Sequence, residues 1–204
     1  MIEADDTAAS SLDKCVIDVR RSGHDLVAAG YCMFSSSTVL VLTLRTGVWG
    51  FTLDRDIGEF VVSHPNMKIP DPGARIVSGN AGNVDKWQPK ALGAFFRSLQ
   101  DSHPPWSYRY VGALVADFHR TLCYGGLWLY PPDAGSPSGK ARLLYEVAPM
   151  ALLAEEAGGM ATCGADAARR VLDVVPASPH QRSPMFVGGA GDVRALQAFL
   201  AAAA

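Results

Sequence analysis

The chain has no surplus of positive charge: 18 Lys and Arg stand against 20 Asp and Glu, a net charge of −2. Nucleic acid binding, which wants a basic face or stripe, is not expected. Long hydrophobic runs are also missing. No apolar stretch reaches the roughly 20 residues that span a bilayer, and the longest, Thr38 to Leu44, suits a buried strand, so a soluble chain without a membrane partner is expected. Cysteine is sparse, at positions 15, 32, 123 and 163 with no CxxC pair, which indicates neither a zinc site nor a disulfide framework and makes a reducing compartment the default. The first 14 residues, MIEADDTAASSLDK, lack both an apolar h-region and an Arg-rich amphipathic pattern, so nothing there directs export, and they read as a short disordered lead. No internal repeat is visible, and no acid-rich loop that could cradle a metal cluster stands out.

What is present is enough for one packed domain: 204 residues, 49% of them hydrophobic. Periodicity leaves Leu26 to Phe34 open between strand and helix. Thr38 to Leu44 and Val48 to Leu53, joined by Arg45-Thr46-Gly47, read as a hairpin, and a turn at Asp54 to Gly58 extends it into Glu59 to Val62. After Pro65, Pro70 and Pro72 comes a short buried strand, Ile76 to Ser78, and a Gly/Asn turn, Gly79 to Asn83. Lys90 to Leu99 has one apolar helix face, and Val111 to Leu122 is a second helix. A strand at Leu127 to Tyr130 precedes the Pro, Gly and Ser-rich loop 131–139. Lys140 to Glu146 follows, partly extended, then a helix at Pro149 to Glu156, strands at Val171 to Val175 and Met185 to Val187, and a last helix from Asp192 to Ala203. This alternation predicts an α/β or α+β layered fold, a mixed β-sheet with helices packed on it.

The densest chemistry lies in GKARLLYE, residues 139–146, where two cations, a tyrosine and one carboxylate suit a phosphorylated ligand beside a metal ion. Lys140 and Arg142 alternate, and in a strand both would share one face, making either a phosphate-sized patch or a solvated basic edge; the residues leave both open. Glu146 would be partly buried and needs a partner, a metal or an Arg. Arg109-Tyr110 offers a guanidinium fork beside a phenol, although the dipeptide alone reads as a surface Arg next to a half-buried Tyr. Asn80 and Asn83 sit in a turn whose amides can converge on an anion, or simply turn the chain. His119-Arg120 and His180-Gln181-Arg182 have no nucleophile at a usable spacing and read as structural hydrogen bonders. Trp49, Trp87, Trp106 and Trp128 read as packing residues.

Taken together, LVAAGYCMFSSSTVLVLT, TLDRDIGEF, RYVGALVADFHRTLCYGG, LYP, GKARLLYE, PMA, EAGGMAT, VLDVVP and HQRSP resemble class I fructose-1,6-bisphosphatase, in family order from Cys15 to the last helix. The sister sedoheptulose-bisphosphatases look different around HRTL and HQR. The resemblance implies the sugar-phosphatase fold and Mg2+-dependent hydrolysis of the 1-phosphate of fructose 1,6-bisphosphate to fructose 6-phosphate, a step of carbohydrate metabolism. Asn80, Tyr110, Tyr130 and Lys140 match the family's 6-phosphate and sugar contacts, and Arg142 is a candidate for the substrate or the metal site. Arg109 matches the arginine inserted into a neighbouring subunit's site, which implies a homo-oligomer. Glu146 matches a metal-ligand glutamate, the one family ligand to Mg2+ in this chain and so its candidate catalytic residue.

Departures from the pattern carry their own expectations. The family's paired-glutamate and DPLDGSS segments, with most metal ligands, and its AMP-binding helices would lie before Cys15. The expected organisation is therefore a lead at 1–14 and a C-terminal domain at 15–204 with the family's N-terminal domain absent. The alternative function that follows is a truncated, inactive sugar-phosphate-binding or assembly subunit. Asn80-Ala81-Gly82 replaces an NEG turn, and Ala113 stands where serine is common. GYCMFSSS and the Asn83 to Trp87 spacing resemble the plastid form, so the chloroplast stroma is the expected compartment, with the cytoplasm as alternative. Cys15 fits the first cysteine of that form's regulatory pair and Arg20 replaces the second, so a thiol switch is not expected.

Overall fold

A computed structural model describes residue 16 and residues 19–203 of the chain; the 1–14 lead and Cys15 lie outside the described residues. The first sheet is an antiparallel meander of β1 (Ala29–Phe34), β2 (Thr38–Thr43), β3 (Val48–Asp54) and β4 (Glu59–Met67) in sequential order. Its turns are chemically set. The Thr43 hydroxyl donates to the Gly47 carbonyl at 2.8 Å and accepts from the Arg45 N–H at 3.1 Å, and the Asp54 carboxylate accepts the N–H of Asp56 at 2.9 Å. The segment left open by periodicity begins beside a 3-10 turn, Gly23–Asp25, and becomes β1 from Ala29 onward.

The second sheet has six strands. These are β5 (Ile76–Ser78), β6 (Ser107–Tyr108), β7 (Leu127–Tyr130), β9 (Met160–Cys163), β10 (Arg169–Arg170) and β12 (Met185–Gly188), in the order β10-β9-β12-β7-β5-β6. β5 runs parallel to both β6 and β7, and the remaining pairs are antiparallel. A separate ribbon pairs β8 (Ala141–Arg142) with β11 (Arg182–Ser183). Four helices of eight residues or more complete the described chain: α1 (Lys90–Asp101), α2 (Leu114–Tyr124), α3 (Ala148–Glu156) and α4 (Ala190–Ala202). None is long and apolar enough to cross a membrane.

The layers follow from which faces are apolar. Helices α1 and α4 cover one face of the six-stranded sheet, where Val77, Leu127, Leu129 and Phe186 meet Leu92, Phe96, Val193 and Leu196. Helices α2 and α3 lie between the other face and the meander, so Trp128, Met185 and Val187 share a core with Tyr31, Val39, Val41 and Val48. Helix α3 touches both sheets and is accordingly apolar all round, with Met150 through Ala154 buried. Each fully buried Leu or Phe of these layers contributes about 1.5–3 kcal/mol of transfer free energy. The mixed α/β layering expected from the sequence is the one observed.

Three local expectations are corrected. Val171 to Val175 is not a strand: Val171–Asp173 forms a 3-10 turn whose Val171 and Leu172 plug the core. The second helix begins at Leu114 rather than Val111, because the N–H groups of Val111 and Gly112 are taken by the Asp117 carboxylate at 3.0 and 2.9 Å. The 140–146 run is extended only at Ala141–Arg142, after which Leu143–Val147 closes a π-helical turn leading into α3.

Candidate functional site

Parallel β5 and β7 end side by side, and the groups that follow them meet at the same edge of the sheet. Carboxyl ends of parallel strands leave a crevice between diverging loops, a recurrent place for ligands. Here the loops are the 3-10 turn Ala81–Lys86, entered through Asn80, and the segment after Tyr130. They enclose a cavity of about 80 Å3 lined by Asn80, Asn83, Trp87, Tyr110, Tyr130, Pro131, Asp133 and Lys140. A second, smaller hollow of about 30 Å3 adjoins it across Tyr110 and Tyr130 and reaches Asp117 and Trp128. A larger cavity, about 180 Å3, lies between residues 19–26 and the Leu143 to Ala148 region, and its lining is mostly apolar.

Four of the residues singled out in the sequence therefore share one cavity: Asn80, Tyr110, Tyr130 and Lys140, with Asn83 beside them. Lys140 is aimed by Asp133, whose Oδ2 lies 2.8 Å from Nζ, while Asp133 Oδ1 accepts the Gly135 N–H at 2.9 Å. The hydrogen bond between them raises the Lys140 pKa and lowers that of Asp133, so both are charged at neutral pH. The Tyr110 phenol is pushed up, first by burial and next by the Asp117 carboxylate, and stays a neutral donor.

Asp117 holds the Tyr110 loop in place. Only 1% exposed, its carboxylate accepts the Ser78 hydroxyl at 2.8 Å, the Val111 and Gly112 N–H groups, and Arg120 Nη2 at 2.6 Å. A buried carboxylate is tolerable only with that many partners. Tyr108 similarly ties the Asn80 turn by donating to the Gly79 carbonyl at 2.6 Å. Trp87, 2% exposed, is at once cavity wall and core, edge-on to Phe96. Asp133, Asp117 and Trp87 were not among the site residues read from the sequence. For Asp133 the available signal was an acid in the Pro-rich loop just ahead of the lysine.

Lys140 enters the cavity from the start of the β8–β11 ribbon. Gly139 takes φ +77°, and a Cβ there would sit 2.4 Å from the Pro184 nitrogen, so only glycine lets the ribbon close at this point. The other predicted residues stand outside the cavity. Arg109 is exposed and donates to its neighbour's Tyr108 carbonyl at 2.9 Å. Arg142 lies on the ribbon, where its Nη1 donates to the Lys140 carbonyl at 3.2 Å. Glu146 sits in the π-helical turn, where Oε2 accepts the main-chain N–H of Arg142 at 2.5 Å. No group of three or more His, Cys, Asp or Glu side chains able to hold a metal ion occurs among the described residues.

The histidine-containing segments behave as hydrogen bonders. His119 Nδ1 pairs with the Tyr31 hydroxyl at 2.8 Å, and Nε2 lies 3.7 Å from Cys123 Sγ. Burial, and then His64, lowers the His119 pKa. His180 Nδ1 pairs with the Tyr145 hydroxyl at 3.2 Å, and the Gln181 side-chain Oε1 accepts the Ala177 N–H at 2.6 Å. Cys32, Cys123 and Cys163 are free thiols, and Arg20 donates through Nε to the Pro176 carbonyl at 3.0 Å.

Fold and cavity together define a layered α/β protein built as sugar phosphatases are. The chain belongs to the fructose-1,6-bisphosphatase family. Residues 69–201 match the family's C-terminal domain and residues 7–65 its N-terminal domain. The meander thus falls with the N-terminal domain, whereas the sequence reading assigns everything from residue 15 to the C-terminal one. The chloroplastic fructose-1,6-bisphosphatase of Brassica napus is 48% identical over 204 residues, covering 98% of this chain and 48% of the relative. The cytosolic enzyme of the same plant is 50% identical over 186 residues, covering 90% of this chain and 54% of the relative. The crystal structure of Leishmania major fructose-1,6-bisphosphatase in holo form superposes with a TM-score of 0.88 at 42% identity, over 96% of this chain and 60% of that one. The chain spans about half the length of the curated relatives it matches.

Proposed function

We propose that this chain supplies the sugar-phosphate pocket of a fructose-1,6-bisphosphatase, a phosphoric monoester hydrolase that converts fructose 1,6-bisphosphate to fructose 6-phosphate. The observation that carries this reading is the convergence of Asn80, Tyr110, Tyr130 and Lys140 on one cavity with a charged Lys140 aimed by Asp133. Two phenols and an amide around one ammonium make a receptor for a phosphate dianion: the lysine supplies charge, and the other three supply directed hydrogen bonds. In this reading they hold the 6-phosphate and the sugar. Arg109, exposed at the rim, reaches a neighbouring subunit of a homo-oligomer. The plastid-like GYCMFSSS segment supports the chloroplast stroma as the compartment. The match to cytosolic relatives keeps the cytoplasm beside it.

The Mg2+ that such hydrolysis calls for would activate water and neutralise the leaving oxygen. The described residues do not cluster enough carboxylates for the two or more ions of such a site: Glu146 is a single carboxylate whose Oε2 already accepts a main-chain N–H, and no group of three or more His, Cys, Asp or Glu side chains occurs among the described residues. Binding of the monophosphate product, by contrast, needs only the pocket. The test is calorimetric titration of the chain with fructose 6-phosphate, with and without added magnesium. Binding independent of the metal, weakened about tenfold or more by Lys140→Ala, is the expected result. Absence of binding, or binding indifferent to Lys140→Ala, would overturn the proposal.

A further inference from the structure

Of the residues that line the cavity, two carry formal charge, Lys140 and Asp133, and the two charges cancel. That balance is ill suited to a site for a bare anion. Asp133 Oδ2 lies 2.8 Å from Lys140 Nζ, so a phosphate oxygen on the same ammonium would stand within two hydrogen-bond lengths of the carboxylate and be repelled by it. The fold nonetheless fixes Asp133 in place. Its main chain bridges to Trp87, another wall of the cavity, with the Gln88 N–H on the Pro132 carbonyl at 3.0 Å and the Ala134 N–H on the Lys86 carbonyl at 3.2 Å. The side chain is 10% exposed.

A carboxylate accepts hydrogen bonds at about four lone-pair positions. The Lys140 ammonium and the main-chain N–H groups of Gly135 and Ser136 meet three of them at most. At least one is left over, in a cavity whose other side-chain acceptors are amide and phenol oxygens. Hydrogen bonds to an ionised acceptor are roughly twice as strong as those between neutral groups, so a hydroxyl donor entering the cavity is best met by Asp133. A phosphate dianion alone has no hydrogen to give it. A sugar phosphate brings both halves of the match, an anion for the ammonium and hydroxyl groups for the carboxylate. We propose that Asp133 is a specificity-determining residue of this pocket: its carboxylate accepts a hydroxyl of the bound sugar and repels an anion that brings no such donor. The inference rests on the pocket reading above and deepens it by naming what the cavity selects besides phosphate. Attraction to the right ligand and repulsion of the wrong one then come from the same side chain.

The test is a cycle between ligand and protein. Fructose 6-phosphate and its monodeoxy analogues are titrated into the wild-type chain and into Asp133→Asn, which keeps the shape and an acceptor oxygen but not the charge. Asp133→Ser repeats the cycle, so that the outcome does not hang on the folding of one variant. In the wild type, one deoxy analogue should bind about tenfold weaker than the parent. In Asp133→Asn the parent should fall by about that factor, whereas the same analogue should hold or tighten, because the repelling charge has gone. Inorganic phosphate should compete with fructose 6-phosphate at least as well on the variant as on the wild type. Weakening of the parent and every analogue by one common factor would make Asp133 a positioner of Lys140 and nothing more, and a wild type indifferent to the loss of each hydroxyl would leave the carboxylate without a sugar contact. Either result overturns the proposal and leaves the pocket reading standing. A wild-type chain that binds no sugar phosphate overturns both.

Discussion

Asp117 does the most structural service of any single side chain near the cavity. Replacing it with alanine removes the partner of Arg120, whose side chain is 16% exposed, and strands the N–H groups of Val111 and Gly112. Breaking a buried pair in this way costs about 3–5 kcal/mol. Urea denaturation of Asp117→Ala should show that loss, together with weaker fructose 6-phosphate binding as Tyr110 drifts; unchanged stability would refute the assignment. Lys140 and Asp133 give a pH prediction. The Lys140 pKa is raised and the Asp133 pKa lowered, so both charges persist well above and below neutrality. The titrating partner is then the phosphate, with its second ionisation near about pH 6. Affinity for fructose 6-phosphate should rise through that pH and stay level to about pH 9, and a fall between pH 7 and 9 in calorimetry would contradict it.

At the scale of the element, the N-terminus of α4 holds a carboxylate that its surroundings disfavour. Burial, and then the nearby Asp71, raises the Asp192 pKa from 3.8 to about 6. Asp71 occupies the helix end itself, accepting the Gly191 N–H at 2.8 Å. The sign follows from linkage: below the unfolded pKa both states hold the proton and nothing is lost, and stability falls as pH rises toward the folded pKa. Solvent reaches this partly buried group and the helix dipole favours its charge, so the loss at pH 8 is about 1–2 kcal/mol rather than the full shift. Asp192→Asn should therefore raise the melting temperature at pH 8 and leave it nearly unchanged at pH 4. A stabilisation equal at both pH values would count against the carboxylate's titration as the cause.

For the whole molecule, the meander has two unlike faces. Its inner face packs on α2 and α3, while register puts Phe34, Leu42, Trp49, Phe60 and Val62 on the outer one. Phe34 is 82% exposed and Val62 54%, and β4 is an edge strand. Contiguous apolar surface beside an open strand edge favours self-association. Light scattering should show association rising with concentration, accompanied by hydrophobic-dye binding, and Val62→Lys should reduce both. A dye-silent monomer at all concentrations would refute this.

Much of this architecture was legible in order of residues. Alternation within Thr38 to Leu44, the turn at Asp54 to Gly58 and the apolar face of Lys90 to Leu99 are local signals, set by backbone sterics and by side chains a few positions apart, and the structure has each element. Asn80, Tyr110, Tyr130 and Lys140 line one cavity in the structure, and the sequence singles them out because their neighbours in the chain form motifs with a family's spacing. Val171 to Val175 misled because a β-rich apolar run looks the same whether it pairs as a strand or plugs a core as a 3-10 turn. Asp133 and Asp117 were missed because their partners lie elsewhere: the carboxylate on Lys140 comes from a loop, and Ser78 meets Asp117 across 39 residues. The 139–146 segment shows both sides. Sequence alone determined that it concentrates cations with one carboxylate. Only the tertiary structure decided that Lys140 faces the cavity, that Glu146 bends back to the main chain, and that Arg142 meets Arg182, since strand pairing between residues 40 apart is fixed by long-range packing rather than by local preference.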